Sequence, residues 1–249
     1  MAIALAAVLI VIVQVLVAGV PFAMAARGLV GMWLAPLLLS VLLMYTRSLT
    51  LTVQLSVIIA VMALTAIFVV FGNPVDYWIE ELTKVIAALN DSQQYALAAW
   101  MEAQKPNAGQ LTMGAVLLYW TLHIAAFVIG YKMYRLLPGE RPDFGRFRDL
   151  NLGRVIALAL AIMSIASMLT DSIWVTSVAV ILFGAFWTQG LSIVHWLYSQ
   201  QMMPRIGFVA VYTMLLSFIL TAVTAMGLAI FGYLDAWFNL RREPKIKLD

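Results

Sequence analysis

The chain has 249 residues, 64% of them hydrophobic and only 11% charged, with a mean hydropathy of +0.97. So much apolar surface exceeds what one core can hide from water, which makes lipid the expected solvent. The absence of cysteine excludes disulfides, thiolate metal sites and cysteine nucleophiles, and the net charge of +3 is carried by loops without the basic, aromatic-interleaved surface that nucleic acid requires.

The apolar residues fall in long runs, each near the roughly 20 residues that a helix needs to cross a bilayer core. The first run, Ile3 to Ala25, ends in Ala23-Met24-Ala25, which resembles a signal-peptidase site. No Lys or Arg precedes it and it is longer than a signal core, so a retained membrane helix is the preferred reading. A second run, Leu29 to Tyr45, lies between Arg27 and Arg47, and a third, Leu49 to Phe71, follows at once.

From Asn73 to Gly109 the composition changes, with Asp76, Glu80, Glu81, Asp91 and Glu102 against Lys84 and Lys105. Asn73-Pro74 suits an N-cap followed by proline in the first helical position, with early carboxylates complementing the helix dipole. Trp78, Ile79, Leu82, Val85, Ile86 and Leu89 recur at helical spacing and predict an amphipathic helix outside the hydrocarbon, with Trp78, Leu82, Val85 and Leu89 as its packing face. That face is expected to pack on the protein's own bundle, with the lipid interface or a partner as alternatives. Asn90-Asp91-Ser92 interrupts the helix, a shorter one is expected over Tyr95 to Gln104, and Pro106-Asn107-Ala108-Gly109 ends the excursion.

A fourth membrane run spans about Leu111 to Tyr131 and is followed by a charged, non-helical loop with Pro138-Gly139 and Pro142. The fifth, about Val155 to Thr170, carries Ala157, Ala161 and Ser164 at a spacing that permits close helix packing, and is expected to be central. Thr170-Asp171-Ser172 turns into the sixth, about Ile173 to Tyr198, in which Asp171 is a turn and cap residue. Met203-Pro204-Arg205 leads into the seventh, about Ile206 to Leu234, with Asp235 pairing locally or capping its end. The expected fold is therefore all-α: one polytopic membrane domain of about seven helices with a helical insertion at about 73–109. An odd number of crossings puts the charged loop and the basic tail on opposite sides, dividing Lys and Arg eight against seven, so the orientation stays open.

Every Asp, Glu, Lys and Arg falls outside the central parts of the runs, which argues against a proton pump or an intramembrane protease. No phosphate-binding glycine loop, HExxH or GxSxG is present, so no enzymatic activity, cofactor or metal is expected. The most polar membrane stretch holds Gln189, Ser192 and His195, three apart on one helix face. They are expected to face the bundle interior. With Trp187 and Trp196 nearby and His123 facing the same space they form a candidate polar groove, the preferred reading being interhelical hydrogen bonding with His195 and Trp196 at the membrane interface.

Three segments, Phe144 to Leu150, Gln189 to His195 and Gly232 to Arg241, resemble the YybS-like family of bacterial membrane proteins of unknown function, in order and in spacing. The resemblance covers roughly residues 138–242. It implies a multi-pass protein of the bacterial inner membrane and an additional amino-terminal basic segment and helix. It extends distantly to the substrate-binding subunits of energy-coupling vitamin transporters and to small scaffolds of cell-shape machinery. The expected function is a non-enzymatic substrate-binding or transport component, the alternative a scaffold or assembly protein. Its expected partners are the lipid bilayer and either a small-molecule ligand or a partner membrane protein.

Overall fold

The computed structural model describes residues 22–140, 142–217 and 219–241, and contains nine α-helices and no strand among them. The chain divides into two compact units, one made of the chain through Arg47 together with His123–Pro142, the other of Ser48–Leu122 and Asp143–Asp249.

In the first unit, helix α1 (Phe22–Thr46) runs unbroken through Ala23-Met24-Ala25 and through Arg27-Gly28. The separation expected between the first two apolar runs is therefore absent at that point, because a single Gly beside an arginine lowers helix propensity without ending the helix. The rest of the first run lies outside the described residues. Arg47 adopts a left-handed φ of 50° and donates its N–H to Leu43 O at 2.9 Å, closing the helix. The second half of α5 (Ala108–Leu136), including His123, also belongs to this unit.

The second unit opens with α2 (Leu49–Phe71), whose N-cap Ser48 accepts from Leu51 N at 3.3 Å. Its buried stripe of Leu49, Val53, Val57, Ala60 and Leu64 repeats every three or four residues, as a helix facing a neighbour must. Polar positions on α2 bind indoles of other helices: Trp120 Nε1 donates to Ser56 Oγ at 3.0 Å and Trp174 Nε1 to Thr65 Oγ1 at 3.2 Å.

Helix α3 (Pro74–Asp91) begins as expected, with Asn73 Oδ1 accepting from Val75 N at 3.2 Å and proline in the first turn. Its inward face is Trp78, Leu82, Ile86 and Leu89, against Ala98 and Met101 of α4 (Tyr95–Glu102) and Leu111 of α5. Val85 is not on that face. It is 42% exposed, and Ile86 takes its place because a straight helix advances the stripe from Leu82 by four residues there instead of three. Trp78 Nε1 donates to Thr112 Oγ1 at 2.8 Å, which fastens α3 to the start of α5. A short 3₁₀ turn, Lys105–Asn107, feeds directly into α5, so the excursion ends without a break at Ala108-Gly109.

After the charged loop come α6 (Gly153–Leu169), α7 (Ile173–Ser199), α8 (Arg205–Leu216) and α9 (Thr221–Phe238). Ser172, and not Asp171, caps α7, accepting from Val175 N at 3.5 Å. The seventh apolar run is broken in two. At the break, Thr221 Oγ1 lies 2.8 Å from Leu215 O and 2.6 Å from Ser217 O, and Ser217 O also accepts from Thr221 N at 2.9 Å.

The central helix is α7, not α6: 78% of its apolar stretch is buried, against 28% or less in the other long apolar helices. α6 contributes Ile156, Ala157 and Leu160 to the core, whereas Ala161 and Ser164 are only half-buried. Among the described residues, four helices are long and apolar enough to cross a membrane: α2, α5 with its preceding turn, α7 and α9. α6, with 17 residues, is at the lower limit for a crossing, and α8, with 12, is too short for one.

Candidate functional site: a buried polar clasp

At the middle of α7, Gly190 meets α9 so closely that a Cβ there would overlap the carbonyl of Leu228. Gly232 on α9 is as tightly placed, against the Phe186 carbonyl. Glycine at both positions lets the two backbones touch, the packing device used where helices have no water to drive them together.

That contact brings Gln189 to Asp235. Gln189 is fully buried, and its Nε2 donates to Asp235 Oδ2 at 2.7 Å while its Oε1 accepts from Leu152 N at 2.8 Å. One carboxamide thus joins α9 to the loop before α6. Ser192, one turn later, has its Oγ 2.7 Å from Gln189 O and 3.1 Å from Leu150 O.

Arg241 completes the cluster. Asn239, just past α9, adopts a left-handed φ of 51° and donates its N–H to Asp235 O at 2.8 Å, folding the chain back along the helix end. The guanidinium then donates to Asp235 Oδ2 from Nη2 at 2.6 Å and from Nε at 3.1 Å. Its Nη1 reaches Arg148 O at 2.7 Å and Ser192 Oγ at 3.2 Å, and Nη2 also reaches Leu150 O at 2.8 Å. Five donor contacts from a planar fork fit the mixture of carboxylate and carbonyl acceptors, which a point-charge ammonium would not. Asp235 Oδ2 accepts three bonds, while the buried Oδ1 has no partner among the described residues. Asp235 therefore pairs locally, as expected.

Of the expected groove, Gln189 and Ser192 enter this cluster and do face the interior. His195 points to another neighbourhood: its Nε2 is 2.6 Å from Tyr212 Oη, and its ring packs edge-on against Phe147 and Phe208. Trp187 packs on the apolar cluster of Leu191, Val194 and Leu228, and its indole nitrogen finds no acceptor among the described residues. His123 lies in the other compact unit. Within the second unit, Gln189 and Ser192 thus share the polar cluster and His195 occupies a separate aromatic site.

Sequence reasoning missed Asp235 and Arg241 as members of the cluster. The available signal was an acid and a base straddling a helix end, six residues apart with Asn between them. Pairing across Gly190 and Gly232 is a tertiary event that no local pattern announces.

Chemically the cluster is a clasp. The side chains meet one another and three loop backbone groups, and among the described residues no group of three or more His, Asp or Glu is arranged to hold a metal ion. A groove on the outer face of α8, between Arg205 and Met214, is almost wholly apolar in its lining. In comparisons with family models, curated proteins and solved structures, nothing matches this chain. Three separate stretches of the chain converge in the clasp: Arg148 and Leu150 of the loop, Gln189 and Ser192 of α7, and Asp235 and Arg241 at the end of α9 bond one another.

Proposed function

We propose that this chain is a multi-pass protein of the bacterial inner membrane that performs no catalysis and serves as a membrane scaffold or assembly protein for partner proteins. The observation that carries the reading is the closure of the clasp: the most polar residues of the membrane helices are engaged with Asp235, Arg241 and loop backbone. A substrate pocket needs convergent polar groups open to a ligand. Gln189 and Ser192, two of the side chains expected to supply them, join α7 to α9 and to the loop before α6. The bacterial inner-membrane location follows the YybS-like resemblance, and its multi-pass character accords with four long apolar helices.

A second reading, a substrate-binding or transport component, draws on a different observation. The apolar run is divided between α8, which ends at Leu216, and α9, which begins at Thr221, and discontinuous helices in transporters often border substrate or ion sites.

Native mass spectrometry of the full chain, purified from its own membrane in lipid nanodiscs, separates the two. The scaffold reading expects a stoichiometric protein complex that survives the apolar-groove substitution Val209→Trp. A stoichiometric small molecule, with no protein partner, overturns it in favour of transport.

A further inference from the structure

The contacts of the second unit assign its charges to two ends. Leu49 N donates to Phe144 O, so α2 starts at the loop 143–152 and finishes at the α3–α4 hairpin. Arg241 binds the carbonyls of Arg148 and Leu150, which puts the end of α9 at the loop end too. α6 departs from that end and α7 returns to it, since Gln189 and Ser192 meet Leu152 and Leu150. α8 then leaves from beside α7, with Phe208 against Tyr198, and α9 comes back. Within the second unit, Arg241 and the loop 143–152 thus lie at one end, where the expected odd count set the tail and the charged loop on opposite sides.

Arg146 and Arg148 belong to this loop, Arg154 and Arg205 open α6 and α8, Arg241 follows α9, and Arg242, Lys245 and Lys247 come next in sequence. The hairpin has only Lys84 and Lys105, each engaged by a glutamate: Lys84 with Glu80 at 2.7 Å and Glu81 at 2.8 Å, Lys105 with Glu102 at 2.9 Å. Lys and Arg accumulate on the cytoplasmic side of membrane proteins.

The hairpin itself is tethered at both ends. Gly72 and Asn73 alone separate it from α2, and one 3₁₀ turn joins it to α5, so it stays within a few residues' reach of where two long apolar helices end. At the first tether the rings of Phe71 and Tyr77 are 5.7 Å apart and those of Tyr77 and Trp78 5.4 Å apart, an aromatic run at the mouth of α2. On α3, Ile79 and Val85 flank the buried stripe while remaining exposed, so the apolar arc, about 120° wide at 100° per residue, exceeds what the protein covers. On α4, Tyr95 is 63% and Trp100 60% exposed.

We propose that the α3–α4 hairpin is an interfacial element seated in the headgroup layer of the extracytoplasmic leaflet, with Tyr95 and Trp100 in contact with lipid. The proposal rests on the reading of α2 and α5 as membrane helices. Tyr and Trp suit this layer because each presents an apolar ring and a polar tip. A partner protein is the less favoured occupant, since the short tethers already hold these rings at the depth where lipid headgroups lie. The hairpin has five carboxylates against two lysines, so it favours zwitterionic over anionic lipid.

The chain has no native cysteine, so single-cysteine variants of the full chain report without background. Ala87→Cys, on the outer face of α3, is expected to react with a membrane-impermeant maleimide added to intact cells, and Gln200→Cys only after permeabilisation. In nanodiscs of phosphatidylcholine, spin labels at Tyr95→Cys and Trp100→Cys are expected to show an oxygen-to-nickel collision ratio several-fold above that at Ala87→Cys and below that at Met62→Cys within α2. Half-replacement by phosphatidylglycerol should lower the ratio at Tyr95→Cys and Trp100→Cys. Labelling of Ala87→Cys only after permeabilisation overturns the sidedness. Labels at Tyr95→Cys and Trp100→Cys as wet as at Ala87→Cys, or shielded from both quenchers as under a protein partner, overturn the interfacial seat while the membrane reading stands. A label at Met62→Cys open to nickel overturns the membrane reading and the proposal with it.

Discussion

Asp235 and Gln189 meet at 2.7 Å, carboxylate to carboxamide, where α7 and α9 come into backbone contact. Asp235 is fully buried, and Arg241, with 9% side-chain exposure, supplies its counter-charge. Removing only the cation leaves a buried carboxylate uncompensated, which costs about 3–5 kcal/mol. Arg241→Met is therefore expected to lower thermal stability severely in detergent or nanodiscs. Asp235→Leu with Arg241→Met should lose much less than the two single losses added together. Strict additivity in that double-mutant cycle would show that the two residues do not act as a pair.

Gln189→Leu removes the acceptor for Leu152 N and one donor to Asp235, leaving both groups buried. The expected loss is about 2–4 kcal/mol, read as a lower unfolding midpoint. Gln189→Glu should be worse still, because it sets a second carboxylate beside Asp235. A Gln189→Leu protein with unchanged thermal stability would refute the clasp.

The glycines of the two helices separate by sign. Gly190→Ala and Gly232→Ala each drive a methyl into a backbone carbonyl that has nowhere to move, with an expected cost of about 1–3 kcal/mol or more. Gly227, also on α9, has open space around its Cβ position, so Gly227→Ala should be neutral or stabilising by up to about 1 kcal/mol. Equal effects at Gly190 and Gly227, compared by thermal denaturation, would contradict the close crossing.

On α3 the neighbouring positions 85 and 86 have opposite fates. Ile86→Ala should cost about 2–4 kcal/mol of local stability, seen as lost hydrogen-exchange protection across α3, because it empties the contact with Ala98 and its neighbours. Val85→Ala, at an exposed site, should change protection by less than about 0.5 kcal/mol.

Lys84 holds the Glu80 carboxyl below the usual glutamate range, through its hydrogen bond first and its charge second. A depressed value in the folded chain means that this contribution is present above the ordinary glutamate pKa and is lost as pH falls through the folded one. Both groups are fully exposed, so the effect on stability is slight and salt-screened. An NMR titration should place the Glu80 midpoint lower in the native chain than in Lys84→Met, with the gap closing at high salt. A gap insensitive to salt would mean that the pair is not solvent-exposed.

Local chemistry by itself determined a good deal of this protein. Long uncharged runs require helices in lipid, Asn73-Pro74 starts a helix, Thr170-Asp171-Ser172 turns the chain, and the carboxamide of Gln189 avoids hydrocarbon; each depends on residues close together in sequence or on solvent preference alone. Tertiary structure decided what the same patterns left open. Whether Val85 or Ile86 completes a stripe depends on which neighbours lie across it. That Ile206 to Leu234 forms two helices is visible only in the folded chain, where α8 stops at Leu216 and α9 starts at Thr221, whose Oγ1 lies at the carbonyls of Leu215 and Ser217. The partnership of Gln189 with Asp235 and Arg241 exists because two glycines 42 positions apart bring α7 and α9 into contact, and such a long-range approach is energetically selected only once both helices are formed and packed.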